Sequence, residues 1–179
     1  MKVNRLMMVA MIAAIYAGLC FIPGLSSLAY GPIQVRIAEA LTLLPILDYY
    51  SIFGVTLGCF LANLIGLMNG ANPIGLIDLL VGTTATFLAA NATYALRNRL
   101  VHNIPIYSYL MPVIFNFFFV GIELAFLFMP DNLIFGTLLN GTYVAIGELI
   151  AVILGHFLLK ALKKTPYYAK LSASEESSL

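Results

Sequence analysis

Two charged side chains stand inside a largely apolar run early in the chain. Arg36 and Glu39 lie three positions apart in the segment from Tyr30 to Asp48, YGPIQVRIAEALTLLPILD. If this segment is helical, the two side chains share a face and can pair with each other. Charge is expensive in lipid, so an ionisable residue there faces protein, water or a ligand. The pattern therefore indicates either a structural ion pair or part of a binding site.

Other polar residues also fall within apolar segments and extend this candidate site. Asn116 and Glu123 are seven positions apart, which places them two turns apart on one face of a helix. Asn140, Tyr143 and Glu148 form a similar group, in which Tyr143 is suited to stack on a planar ligand. The full set of candidate substrate-binding residues is Gln34, Arg36, Glu39, Asp78, Asn116, Glu123, Asn140, Tyr143 and Glu148.

The elements that must position these residues are membrane helices. The chain of 179 residues is 61% hydrophobic and only 9% charged, and its mean hydropathy is +0.97. A soluble domain has about 25% charged residues. The sequence therefore predicts an all-α polytopic membrane protein.

Six apolar stretches have about the length needed to cross the hydrocarbon core, for which a helix needs about 20 residues. We predict spans at 4–22, 34–48, 50–68, 74–96, 107–128 and 138–161. The second is short and contains Pro45, so a re-entrant segment is the alternative. Residues 1–171 then form one six-helix domain, and the polar residues 172–179 form a disordered tail.

The distribution of basic residues orients the bundle. With six spans, Arg36 alone falls on one side of the membrane, and the other eight basic residues share the opposite side: Lys2, Arg5, Arg97, Arg99, Lys160, Lys163, Lys164 and Lys170. Because basic residues concentrate in cytoplasmic loops, both termini are predicted to be cytoplasmic. The four membrane acids, Glu39, Asp78, Glu123 and Glu148, then lie roughly 7–15 Å below the outer surface. This shared depth predicts a polar cavity open to the outside.

Small residues indicate where helices pack closely, because membrane helices associate through van der Waals contact between nearly bare backbones. The third span has such a residue at every fourth position from Gly54 to Gly70, a pattern that favours packing inside the bundle. The first span carries Ala10, Ala13, Ala14 and Ala17, for which an external partner is nearly as good an interpretation.

The run from Gly31 to Pro45, GPIQVRIAEALTLLP, closely resembles the hallmark stretch of the QueT-type substrate-binding subunits of energy-coupling-factor transporters. Chain length and predicted topology agree over nearly the whole sequence. That stretch often has Ser where this chain has Ala38, so this chain lacks a hydroxyl group at that position.

The resemblance implies a bacterial cell-membrane protein that binds a scarce micronutrient outside and needs partners to import it. Those partners are a transmembrane coupling subunit and two ATPases, in keeping with the absence of a GxxxxGK[ST] nucleotide motif here. Docking on the coupling subunit is implied for an AxxxA motif, either Ala10 with Ala14 or Ala13 with Ala17. The N-terminal Met-His of nickel and cobalt members is absent, so neither a metal nor another cofactor is expected. The bilayer is the expected environment, and nucleic acid is not an expected partner.

The implied ligand is a 7-deazaguanine base, such as the aminomethyl precursor of queuosine (preQ1) or queuine. One carboxylate can accept hydrogen bonds from the adjacent N–H and amino groups of such a base, and an amide can meet its carbonyl. Three alternatives remain: a structural or assembly subunit whose charges pair internally, a subunit for another vitamin, and a small secondary transporter. The sequence has no evident inverted repeat to support the last of these.

Overall fold

The computed structural model describes residues 3–22, 36–70, 72 and 74–166, with the backbone alone at positions 3 and 4. The predicted loop 23–33, Gln34 and the tail 172–179 lie outside the described residues. Five α-helices and two 3₁₀ helices make up the described chain. In chain order they are α1 (Val3–Cys20), the long 3₁₀ helix (Ile37–Ile46), α2 (Ser51–Met68), α3 (Leu76–Ala95), α4 (Ile106–Phe128), a short 3₁₀ turn (Pro130–Asn132) and α5 (Leu133–Leu162).

The helical architecture agrees with the all-α prediction. Four segments are long and apolar enough to cross a membrane: α2, α3, α4 and the continuous stretch Pro130–Leu162. The apolar part of α1, Arg5–Cys20, and the long 3₁₀ helix are shorter. Large apolar side chains point outward from the bundle, including Phe126 and Phe157, as lipid contact requires. The number of crossings and the side of the termini stay predictions.

The second predicted span differs most from expectation, because it is wound as a 3₁₀ helix of ten residues instead of an α-helix. Pro45 has no N–H to donate within the helix, and the Thr42 hydroxyl donates to the Glu39 carbonyl at 2.6 Å. Ten residues in 3₁₀ form extend about 20 Å, against about 15 Å in α form. The segment thus reaches farther than ten α-helical residues would.

The long 3₁₀ helix lies at the centre of the bundle and contacts all five α-helices. Its residues from Ala38 to Pro45 are buried. On one side, α5 approaches so closely that a Cβ at Gly155 would lie 2.6 Å from the Ala40 carbonyl oxygen. A glycine is therefore required at this crossing, and it allows α5 to hold the central helix in place.

The last helix begins earlier than predicted, at Leu133 and not at 138. Asn132 caps it, since its side-chain oxygen accepts the Phe135 N–H at 3.2 Å. Most of the predicted external loop 129–137 is consequently helical. The apolar turn Leu133 to Phe135 is followed by Gly136 and Thr137, two weak helix formers, so the sequence pattern places the start of the helix too late.

The small residues of α2 pack against α1, as predicted for a contact inside the bundle. A Cβ at Gly54 would lie 2.8 Å from Ile12 Cβ. A Cβ at Gly58 would lie 2.5 Å from Tyr16 Cβ and 3.1 Å from the Ala13 carbonyl oxygen. The two glycines therefore let the helix backbones approach closely.

We expect Gly58→Ala to lower the free energy of unfolding by about 1–3 kcal/mol, the usual cost of overpacking a close contact. The matched control is Gly18→Ala in α1, where a Cβ has no atom within 4 Å. Both changes remove a helical glycine, so they share the gain of about 1 kcal/mol in helix propensity. Thermal unfolding in detergent measures the difference, and equal stability of the two variants would contradict the proposed close packing of α1 on α2.

One end of the bundle carries a chain of aromatic and basic contacts. Arg5 donates to the Tyr50 hydroxyl at 2.8 Å, and Tyr50 meets Tyr49 edge to face. Tyr49 packs against Tyr94 at a ring-centroid distance of 5.1 Å, and Arg97 lies 3.6 Å over the Tyr94 ring. This basic aromatic end joins the start of α1, the turn before α2 and the end of α3. It is the end that the distribution of basic residues predicts to be cytoplasmic, and tyrosines are typical of such an interface.

Candidate functional site

A buried ion pair joins the long 3₁₀ helix to α3. Arg36, at the start of the 3₁₀ helix, places its Nη2 atom 2.9 Å from Asp78 Oδ2. The side chains are 9% and 2% exposed, respectively. Pairing of Arg36 with Glu39, one of the two interpretations of their spacing, is therefore wrong. Arg36 precedes the first turn of the 3₁₀ helix with an extended backbone (φ −91°, ψ 100°), so the helix does not stack it on Glu39 and its side chain reaches across to α3.

Asp78 is held by several further groups, which give it a structural role. Asn72 donates to Asp78 Oδ2 at 2.7 Å, and its own side-chain oxygen accepts the Ile74 N–H at 3.0 Å. Asn63 on α2 donates to the Asp78 backbone carbonyl at 3.0 Å. A Cβ at Gly82 would collide with Asp78 Oδ1. The ion pair therefore fastens α2, α3 and their connecting loop to the central helix.

Only one of the two carboxylate oxygens of Glu39 has a hydrogen-bond partner among the described residues. Its Oε1 atom accepts a hydrogen bond from the Tyr16 hydroxyl of α1, and both residues are buried. Its Oε2 atom has no hydrogen-bond partner among the described residues. One acceptor of this carboxylate thus stays available for another donor.

Glu148 on α5 repeats the same arrangement. Its Oε1 atom accepts from the Asn116 amide of α4 at 2.7 Å. Its Oε2 atom is buried and lacks a hydrogen-bond partner within the described part of the chain. A buried polar atom without a partner is costly, so two such atoms in one region suggest groups arranged for a ligand or for water.

Glu39 and Glu148 both line a small cavity at the centre of the bundle. Its volume is about 10 Å³, roughly what one water molecule needs. The cavity receives side chains from the central helix, α3, α4 and α5: Arg36, Glu39, Gly82, Thr86, Asn116, Val120, Val144 and Glu148. We refer to it as the central cavity. The structure therefore brings together four of the candidate residues, Arg36, Glu39, Asn116 and Glu148, around one point.

Glu123 lies next to this group. On α4, Asn116, Val120 and Glu123 follow one another on one face, with Glu123 one turn beyond the cavity wall formed by Val120. Glu123 is 4% exposed, and neither of its carboxylate oxygens has a hydrogen-bond partner among the described residues. It borders a separate cleft between α3 and α4 on the outside of the bundle.

Asn140 and Tyr143 do not reach the central cavity. The Asn140 amide donates to the Gly136 carbonyl of its own helix at 2.8 Å. The Tyr143 side chain is 39% exposed on the outer surface of α5, because the inward-facing stripe of that helix runs through Val144, Glu148 and Ala151. The position of Tyr143 thus offers no support for stacking on a ligand in this cavity.

Two residues of the site were not predicted from the sequence. Tyr16 binds Glu39 but stands in an apolar first span with no polar neighbour to mark it. Thr86 lines the cavity, and its only signal is its spacing from Asp78, two turns along α3 on the same face as Gly82.

The α1 alanines divide into two pairs with different surroundings. Ala13 and Ala17 are buried, at 2% and 8% exposure, and Ala13 faces the Gly58 contact on α2. Ala10 and Ala14 are exposed on the outside of the bundle. The structure therefore leaves the Ala10–Ala14 pair as the one accessible to another helix.

Fold and site together define a class: a multi-pass membrane protein whose helices enclose a cluster of partly unpaired carboxylates. The sequence model of the QueT transporter family matches residues 6–164, and the chain belongs to that family. A queuosine precursor transporter QueT from Lactococcus lactis subsp. cremoris (strain MG1363) is 28% identical over 172 residues, which cover 91% of this chain and 94% of that relative. No solved structure matches the chain. The resemblance carried by Gly31–Pro45 is thereby confirmed, and the protein serves in membrane transport.

Proposed function

We propose that this chain is the substrate-binding membrane subunit of an energy-coupling-factor transporter and that it binds a 7-deazaguanine base. The observation that carries the proposal is the pair of buried carboxylates, Glu39 and Glu148, that each keep one oxygen without a partner at the central cavity. The similar protein from Lactococcus lactis, named a queuosine precursor transporter, supports this class of substrate.

The chemistry of the cavity matches that of the base. A deazaguanine presents an N–H and an amino group side by side, and a carboxylate accepts both. Asn116 adds an amide that can meet the ring carbonyl once its bond to Glu148 is exchanged. The unpaired acceptors thus suit a ligand with several donors.

The competing interpretation is a structural subunit whose charges pair internally. The acids distinguish this interpretation from ligand binding, because some of them are paired and others are not. Asp78 satisfies that interpretation because it pairs with Arg36 inside the protein. Glu39 and Glu148 do not, because each has an oxygen that no described residue satisfies. Internal pairing therefore accounts for part of the cluster only.

The central cavity must widen to receive a base, since about 10 Å³ accommodates no more than one water. The central helix forms one wall and is the only wall made of 3₁₀ helix among the described elements. We propose that this arrangement corresponds to a closed, ligand-free state. Ligand binding then requires movement of the central helix relative to α4 and α5.

We also propose six membrane crossings with both termini in the cytoplasm. The basic aromatic end, with Arg5, Tyr50 and Arg97, supports the cytoplasmic side. The central cavity then opens from the outside, and import requires the coupling subunit and two ATPases. The exposed Ala10 and Ala14 offer a flat surface for docking on that coupling subunit.

Calorimetry on the purified chain tests the site. We expect Glu39→Gln and Glu148→Gln each to weaken binding of 7-aminomethyl-7-deazaguanine about 30- to 1000-fold, or ~2–4 kcal/mol, since each removes a charged acceptor from a desolvated site. Glutamine keeps an oxygen for Tyr16 or Asn116, so the fold is preserved. Asp131→Asn, an exposed acid in the short 3₁₀ turn, is the matched control.

Unchanged affinity in both variants, with normal thermal unfolding, would place the site elsewhere. A panel of purines, deazapurines and vitamins, applied to the unmodified chain, distinguishes this substrate class from another vitamin. Stabilisation by a vitamin and not by any deazapurine would refute the assigned class.

A further inference from the structure

Glu123 is the least satisfied acid in the described part of the protein. Glu123 is only 4% exposed, and both of its carboxylate oxygens lack a hydrogen-bond partner among the described residues. Glu39 and Glu148 each have one oxygen bound, and Asp78 has an ion-pair partner. Burial of a carboxylate without partners is strongly unfavourable, so this position calls for a positively charged or donor-rich group.

The cleft beside Glu123, with a volume of about 500 Å³, lies on the outside of the bundle between α3 and α4. Its walls include Ile77, Phe118, Ile122 and Phe126, whose exposed side chains belong to the lipid-facing surface. Both Glu123 oxygens are buried, with almost no surface accessible from this cleft. A charged ligand group therefore approaches Glu123 from the central cavity and not from the lipid side.

Glu123 lies one helical turn from the wall of the central cavity. Asn116 and Val120 of α4 line the central cavity, while Glu123 of the same face lines the cleft. Asn116 and Glu123 are about 10 Å apart along the helix axis, given a rise of ~1.5 Å per residue. That separation matches the length of one bicyclic base with a short side arm.

We propose that Glu123 holds a protonated amine on the side arm of the ligand and so selects an amine-bearing base over its neutral counterpart. The inference rests on the proposed function, because it assumes that the base itself is bound at Glu39 and Glu148. The ring then lies in the widened central cavity, and the arm extends past Val120 to Glu123. Asp78 does not compete for the amine, since Arg36 and Asn72 already bind its carboxylate.

The test compares two ligands, 7-aminomethyl-7-deazaguanine and 7-deazaguanine, which lacks the aminomethyl arm. Calorimetry on the purified chain should show that the unmodified protein prefers the amine-bearing base. We expect Glu123→Gln to weaken binding of that base about 10- to 100-fold and to change binding of 7-deazaguanine by less than about twofold. Glu123→Asp retains the charge and should retain the preference, and Asp131→Asn should change neither affinity.

The outcomes separate this inference from the proposed function. If Glu123→Gln weakens both ligands equally, or if the unmodified protein binds both equally, Glu123 does not read the amine and the inference is wrong while the function stands. If Glu123→Gln does not fold, Glu123→Met, which buries no polar group, takes its place: loss of the preference in that variant supports the inference, and its retention overturns it. If the unmodified protein binds neither ligand, the proposed function and this inference both fail.

Discussion

Ala14→Trp is expected to abolish ATP-driven uptake in cells and to leave ligand binding by the purified chain unchanged. Ala14 lies on the exposed side of α1 with Ala10, one turn away. In lipid, close van der Waals contact is the main attraction between helices, and a Trp side chain would hold a partner helix several ångströms away. The central cavity is lined from other helices, so binding should persist.

Two comparison variants make this result specific. Ile153→Trp places the same bulk on α5 at a position that is already 57% exposed, and it should transport normally. Ala13→Trp places it at a buried position facing α2, and it should unfold the protein. Normal uptake by Ala14→Trp would show that this face does not dock the coupling subunit. Loss of ligand binding in Ala14→Trp would show that the face belongs to the bundle's own packing.

Asp78→Ala is expected to lower the free energy of unfolding by about 3–5 kcal/mol, the usual cost of removing one partner from a buried ion pair. The change removes the carboxylate that faces Arg36 at 2.9 Å, and the Asn72 amide loses its acceptor. Thermal and denaturant unfolding without ligand measure the effect. Replacing both charges in Arg36→Met with Asp78→Leu should recover much of the loss, because no buried charge is left behind.

The exposed acid Asp131 supplies the reference for that experiment. Asp131→Ala should change stability by no more than about 0.5 kcal/mol, as is typical of surface positions. Equal stability of Asp78→Ala and Asp131→Ala would mean that the pair does not fasten the central helix to α3.

Hydropathy and small-residue spacing were enough to predict most of the architecture. Apolar runs of about 20 residues in a chain with few charges allow little besides membrane helices, and the observed helices follow the predicted spans from α2 to α4 within two residues. The every-fourth spacing from Gly54 also predicted a close internal contact, which α1 provides. These features depend on local sequence alone.

The partners of the charged residues were harder to predict, because they depend on how helices rotate and cross. Arg36 and Asp78 are 42 positions apart, so no local spacing reveals their pairing. The 3₁₀ winding of the central helix is not marked in the sequence either. Arg36 precedes its first turn with an extended backbone and pairs with Asp78 on α3, whereas Glu39 within that turn binds Tyr16. Tyr143 and Val144 illustrate the same difficulty. Tyr143 is exposed on the outer surface of α5, whereas Val144, the next residue, lies in the cavity wall.

The α1 alanines illustrate what structure adds to a motif. Both AxxxA pairs fit the sequence pattern equally well. Only the packing of the folded bundle separates them, because it buries Ala13, which lies against α2, and Ala17, and leaves Ala10 and Ala14 accessible. The docking hypothesis is thereby reduced to one pair.

The proposed function is tested most directly by uptake of labelled 7-aminomethyl-7-deazaguanine into proteoliposomes. This measurement shows whether the substrate-binding subunit depends on partner ATPases. The chain is reconstituted alone, or with a coupling subunit and two ATPases, and ATP is supplied on the cytoplasmic side in both cases. We predict saturable binding without accumulation for the chain alone, and ATP-dependent accumulation for the complete assembly. Accumulation by the chain alone, or absence of any binding to it, would contradict the proposed function.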